Sequence, residues 1–483
     1  KTEIKKYACY DKSGVVVKEG QAKGGDLDYT GYFPDGKTIS SHLTIKDKLI
    51  EGKATIYYPN GVLKTEYNYV NSVKMGPAKF YFLNGNIERE VNYKDDVADG
   101  YFVGYTIHGD VLNEGWYVDG NLQGRWLYNN AIGVVSKDEY YLNDEQIGVQ
   151  HYYDNFGVKD NDVFYDENGQ FAKMQEFDST GNMINYFELK NGSGDFKSVN
   201  LDKSPYLQVT YKNGFREGIS KSFYPNGKVY VTKNYKNGLQ IGESKNYFDN
   251  GKLQSVSYYV NDLLDSVSTS YNENGTLSST NEYKYGEKNG MSYVYSDKGI
   301  KVREGMFKDD ERNGDFIYFG DDGKTVRFRM KYLNGIAVSY SYLGKDNQYV
   351  PETQITGGQM KIIAYYPNGN KSLEMELVNS CYHGLRKYYY LSGKVQSEAN
   401  FKNDDFDGVY REYHENGKVS SESFYIKDQL NGLQQTFNEQ GVLLELSNFM
   451  YGSREGNYKV FDPISGKMIK NTKFIRNFPY EKL

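Results

Sequence analysis

Few stretches of this sequence place reactive residue types at spacings that could do chemistry. The octapeptide GYFPDGKT, Gly31 to Thr38, satisfies G-x-x-x-x-G-K-[ST], a loop that cradles nucleotide phosphates. Such a loop needs a strand before it and a helix after it, whose N-terminal amides hold the phosphates. After Thr38 the chain runs Ile39-Ser40-Ser41-His42-Leu43-Thr44-Ile45, β-branched and roughly alternating, so the spacing predicts a turn between strands and no nucleotide. Two segments imitate calcium loops, Asp309-x-Glu311-x-Asn313-Gly314 and Asn403-x-Asp405-x-Asp407-Gly408. Neither has an acid at the twelfth position, where Gly320 and His414 stand, so both read as turns. His42, His108, His151, His383 and His414 show no zinc-ligand spacing. Cys9 and Cys381 give no disulfide framework and read as two buried free thiols. With no nucleophile elbow and no Ser/His/Asp order, the expectation is a protein without catalytic residues, cofactor or metal.

The elements that would position any site come from a repeat. Gly61, Gly85, Gly109, Gly133, Gly157 and Gly181 are each 24 residues apart. The same step joins Gly227, Gly251, Gly275, Gly299 and Gly323, and again Gly369, Gly393, Gly417 and Gly441. The glycines close turns such as Tyr57-Tyr58-Pro59-Asn60-Gly61 and Tyr365-Tyr366-Pro367-Asn368-Gly369, and GYFPDGKT is one of these, ending at Gly36. A second anchor keeps the same period: an aromatic residue, a turn residue three positions on, then Gly four later, as in Tyr211-Lys212-Asn213-Gly214 to Gly218. Two turns separated by short alternating runs make a β-hairpin. In Asn-Gly both positions tolerate positive φ, which predicts the tight hairpin turn there. Gly36, Gly61, Gly85, Gly227, Gly251, Gly275, Gly369 and Gly417 are the structural turn residues of this reading; partner-contact residues stay unknown.

At this point the residues resemble the MORN repeat family in its bacterial variant form, Y-x-x-G-x-x-x-G-x-x-x-x-[YF]-x-x-N-G, almost intact as Tyr211 through Gly227. The resemblance covers nearly the whole chain, about twenty units. It implies an all-β fold, an elongated single-layer solenoid of antiparallel hairpins, acting as a scaffold for protein contacts. It also implies, as one alternative, an antitoxin-like protein neutralising a partner toxin. The eukaryotic branch is associated with membrane lipids, but no basic patch stands here, so lipid binding is not expected. A lone hairpin buries too little to stand alone, whereas stacked ones cover each other. Twenty units of two strands would extend to roughly 190 Å if straight.

Residues 1–483 read as one continuous array whose rhythm slips twice. Gly181 to Gly227 and Gly323 to Gly369 are each 46 residues, two short of a double period. This divides the array into sub-blocks 1–181, 182–323 and 324–483, with 182–210 and 324–360 as bends or altered loops, or as relics of duplication. The chain has 50 Tyr, 25 Phe and 51 Gly, and a net charge of −6 without a basic stripe, so nucleic acid is not expected as a partner. No apolar run is long enough for a transmembrane helix. Beginning at Lys1, the chain suggests a removed signal peptide and an exported, periplasmic or cell-surface protein, with the cytoplasm as the alternative. The Tyr-, Asn- and Lys-rich, Pro-poor style resembles Bacteroidota proteins. A protein partner, in a cell-envelope or outer-membrane assembly of a Gram-negative bacterium, is the first expectation, and a polysaccharide on rows of exposed Tyr a further one.

Overall fold

The structure, a computed structural model, describes residues 5–178, 180–199, 204–224, 226–475 and 478–482. Lys1, Pro225 of one turn and residues 200–203 of the first rhythm break lie outside the described residues. Among the described residues the elements are all β-strands, and within each sheet most pair antiparallel with a neighbour in sequence.

One 24-residue unit holds two strands and two different turns. Strand Leu63–Val70 leads into Asn71 and Ser72, both left-handed at φ of 54° and 69°. Left-handed φ at both central positions is a type I′ turn, whose twist suits paired strands. The chain returns through Val73–Lys74 and Gly76–Tyr81 and turns again over Phe82 to Gly85. There Gly85 N donates to Phe82 O at 2.9 Å and Phe82 N to Asn86 O at 2.8 Å; Gly85, at 89°, is the left-handed residue. That is a type I turn closed by a G1 bulge.

This corrects the expectation for Asn-Gly. Asn60, Asn84, Asn250, Asn274, Asn368 and Asn416 do not take positive φ; the glycine after each one does. The type I′ geometry belongs to the second anchor, at Asn213-Gly214, Asn261-Asp262, Asp309-Asp310 and Asn403-Asp404 among others. The two calcium-like segments therefore open on type I′ turns.

Asn is used for another purpose: it ties units together. Its Nδ2 donates to a carbonyl 23 residues on, from Asn84 to Ile107 O at 3.0 Å, Asn274 to Asp297 O, Asn368 to Leu391 O and Asn416 to Glu439 O, all three at 2.8 Å. Its Oδ1 meanwhile accepts the amide two residues later, as Asn416 does from Lys418 N at 2.9 Å. The aromatic two positions earlier acts in parallel. Tyr58 Oη donates to Tyr81 O at 2.8 Å, Tyr224 to Tyr247 O at 2.7 Å and Tyr390 to Tyr413 O at 2.6 Å. His414 takes the same place, its Nε2 2.9 Å from Phe437 O. On the opposite sheet edge an Asp at the second type I′ position accepts an amide 22 residues upstream, Asp96 from Lys74 N at 2.9 Å and Asp310 from Lys288 N at 2.7 Å. Each neutral bond of this kind contributes about 1 kcal/mol net.

Two compact units result, one of residues 1–169 with 356–359 and 377–381, the other of 170–355, 360–376 and 382–483. In the first, Ala54, Ala78, Val91, Trp126, Gln150 and Val163 line the buried face of a sheet whose other face meets solvent. In the second, the sheet that begins at Gly194–Val199 ends at Thr353–Gln354, and another begins at Met360–Tyr365. Around that change the layers face each other. Phe328 stacks on Tyr388 with centroids 6.4 Å apart, Arg327 Nε donates to Tyr366 Oη at 3.1 Å, and Ser372 Oγ donates to Arg327 O at 2.7 Å. Phe316, Met330, Ile362, Ala364 and Leu373 are fully buried there. Cys381, of the first unit, is buried too, while Cys9 is half-buried, its thiol 3.6 Å from Thr30 O. At the earlier change, Phe171 stacks on Tyr211 at 4.5 Å and Phe187 meets Phe196 at 4.7 Å.

Candidate functional site

The chemistry-bearing residues of the sequence fall into structural places. Gly31 ends in a strand, and Asp35 accepts Lys37 N and Thr38 N, both at 2.9 Å, so the phosphate-loop look-alike is a closed polar turn followed by strand Ile39–Lys46. Gly36, Gly61, Gly85, Gly227, Gly251, Gly275, Gly369 and Gly417 all close turns with φ between 69° and 92°, and the turn of Gly36 is one residue longer, Phe33 N donating to Thr38 O at 2.8 Å. They lie one per repeat, at strand connections in three different sheets. Among the histidines, His42 faces Asp28 at 3.5 Å and His151 Nδ1 meets Asp162 Oδ1 at 2.6 Å. His42, Lys53, Thr55 and Tyr57 line a shallow groove. Among the described residues no three His, Cys, Asp or Glu side chains gather as metal ligands.

The solvent face of the first unit carries an order that glycine spacing did not reveal. Glu66, Glu90, Glu114, Asp138 and Asp162 succeed each other at the 24-residue step, one on every second strand. Four of them hold a cation from a neighbouring strand or from their own. Lys53 lies 2.6 Å from Glu66, Lys79 3.1 Å from Glu90, Arg125 2.8 Å from Asp138, and Lys159 2.9 Å from Asp162. Opposite charges facing each other across strands stabilise a wet sheet face. Glu114 differs. Its partner is the Tyr101 phenol, which donates to Oε2, and among the described residues it has no ion pair. That bond, with some burial behind it, pushes the Tyr101 hydroxyl up to about 12.

Two residues beyond each carboxylate stands a second column on the same face. In Asn68 and Asn92 the side-chain amide donates across the bulge, to Pro77 O at 2.6 Å and Tyr101 O at 3.3 Å. Asn234 and Asn400 do likewise to Glu243 O and Val409 O. In the next two units of the first sheet this structural Asn is replaced by Trp116 and Tyr140, 55% and 39% exposed. Tyr101, also 39% exposed, pairs with Trp116 across the strands with rings 5.6 Å apart. Between Trp116 and Tyr140 lies Arg125, directly opposite Tyr140 in register. Asp138 grips its Nε and Nη2, each at 2.8 Å, which raises the guanidinium's already high pKa and fixes its plane. Four adjacent strands thus present Tyr101, Trp116, Arg125 and Tyr140 in sequence, with Glu114 at the side.

The buried face holds this patch rigid. Trp126 is 1% exposed and lies flat over Gly115, where a Cβ would come within 2.2 Å of the indole. Its Nε1 donates to Trp116 O at 3.1 Å, and Phe102 and Tyr117 close round it at 5.5 and 5.1 Å. Beneath Tyr140, buried Gln150 bonds the backbone on both sides, accepting Tyr140 N at 2.5 Å and donating to Tyr140 O at 3.2 Å. Three exposed rings on a pinned sheet and a clamped guanidinium can bind flat, partly polar groups.

A family model described as MORN repeat variant matches residues 50–71, 76–95, 216–237, 240–261, 382–403 and 406–427. No curated protein matches the chain in sequence. Among solved structures, it is similar to the crystal structure of TcdB2-TccC3-TEV at 10% identity and a TM-score of 0.14, over 97% of this chain and 30% of that one. It is also similar to the Photorhabdus luminescens Tc holotoxin pore at 10% identity and a TM-score of 0.13, over 97% and 31%. The chain spans under a third of the length of these structures.

Proposed function

We propose that this chain, six segments of which match the MORN repeat variant model, is a non-catalytic scaffold whose first unit docks a protein partner on the patch around Trp116. Repeats of this family are typically modules for contact with proteins or membranes. The observation that carries the reading is the replacement of a structural Asn. Asn68 and Asn92 close a backbone bond at this place, whereas Trp116 and Tyr140 give it up and expose large rings instead. Aromatic residues beside a fixed Arg are the side chains that dominate binding energy at protein interfaces. The compositional style supports an envelope setting for the partner.

A photo-cross-linking side chain at Gln123, beside Trp116, tests this in the native cell. It should capture a discrete protein, and Trp116→Ser with Tyr140→Ser should abolish the capture while leaving the strand signal in circular dichroism unchanged. Capture that survives the double substitution, or no capture at all, would remove the reading.

A further inference from the structure

Resting on that reading of a protein partner, we propose that the patch takes a proline-rich segment in the polyproline II conformation, with a basic side chain of the segment set against Glu114. The first ground is spacing. Trp116 and Tyr140 occupy equivalent places two strands apart, about 9.6 Å at about 4.8 Å per strand. A polyproline II helix repeats every three residues at about 3.1 Å each, or about 9.3 Å. A segment laid across the strands therefore presents the same face to each ring in turn. A β-strand ligand, rising about 3.3–3.4 Å per residue with a two-residue repeat, falls out of step.

The second ground is chemistry. Proline rings pack on exposed Tyr and Trp, and the preformed helix loses little entropy on docking. Its carbonyls are free of internal hydrogen bonds and need donors. Arg125 spends Nε and Nη2 on Asp138, which leaves Nη1 for such a carbonyl.

The third ground is charge. In the carboxylate column Glu66, Glu90, Asp138 and Asp162 are each neutralised by a Lys or Arg of the chain, whereas Glu114, beside the rings of the patch, has no such partner among the described residues. A Lys or Arg at every third position of the segment would complete the row.

The test uses the full chain and synthetic repeats of Pro-Pro-Arg, Pro-Pro-Ala and Pro-Pro-Glu, with a cello-oligosaccharide as the glycan arm. Trp126 is buried, so a change in tryptophan emission reports on Trp116. Pro-Pro-Arg should shift the emission and bind tightest, Pro-Pro-Glu weakest. By calorimetry Tyr140→Ala should weaken Pro-Pro-Arg about 30-fold, as expected for an aromatic anchor. Glu114→Gln should weaken it up to about fivefold and leave Pro-Pro-Ala unchanged, which a merely structural role of Glu114 would not do. Equal binding of Pro-Pro-Glu, indifference to Tyr140→Ala, or a shift from the oligosaccharide with none from the peptides overturns the proposal. If cross-linking from Gln123 captures a protein while no peptide binds, the segment's identity fails and the docking surface stands; if neither works, both fail.

Discussion

At the scale of single residues, the left-handed positions say what each side chain costs. Thirteen other units place Gly at the bulge that comes after the type I′ turn, from Gly52 to Gly456; at this place in one unit stands Ser266, with φ of 66°. Ser266→Gly is expected to stabilise the chain by about 1 kcal/mol, read in urea or thermal melts, because a Cβ is strained in that conformation. Gly115→Ala is expected to do the reverse, by about 2–3 kcal/mol, since its methyl meets the flat face of Trp126 rather than a flexible tip. Loss of the near-ultraviolet tryptophan signal would accompany it. The patch itself was partly legible. The carboxylates at 66, 90, 114, 138 and 162 stand in the letters at the glycine period, but Glu and Asp alternate there and polar residues are the default on a wet face. That Trp116 is exposed and Trp126 buried could not be read from the two letters, because a bulge between the strands sets which ring faces which side.

At the scale of the hairpin, two kinds of turn alternate, and they fail differently. Removing Asn368 or Tyr390 as Ala or Phe should cost about 1 kcal/mol each, because a carbonyl 23 residues away loses its donor. Glycine spacing made both turns visible in the sequence. It did not tell which was type I′, because Asn owes its place to bonds with the next unit and not to its own φ. A pH effect belongs to this scale as well. Lys371, 2.7 Å away, and the Tyr389 hydroxyl hold the Glu374 carboxyl below its ordinary range. A folded-state pKa below the unfolded one contributes stability that is present above the unfolded value and is lost as the pH falls through the folded one. Glu374→Gln should therefore flatten the acid limb of the stability curve below the ordinary carboxylate range, and because Glu374 also raises the Lys371 ammonium and the Tyr389 hydroxyl, it should alter the alkaline limb as well.

At the scale of the whole molecule, units related by 24 residues should behave as interchangeable parts, with stability close to a sum over units and their contacts. Deleting residues 242–265 joins Ile241 to Ser266, which takes the place of Gly242 one period on, and should preserve the strand signal per residue and the peptide affinity of the first unit. Deleting about half a period instead would bring a strand back in the wrong direction, so aggregation or loss of the strand signal is expected. If both deletions behaved alike, the period would not be the unit of folding. The ties between units also point one way: turn amides and hydroxyls reach forward along the chain, and turn aspartates receive from behind. Any unit therefore offers plugs on one flank and sockets on the other. A copy slipped in by gene duplication finds its connections already waiting, while the same unit spliced in reverse would meet plug against plug. Growth and shrinkage by whole steps are open to such a lineage, and inversion is closed.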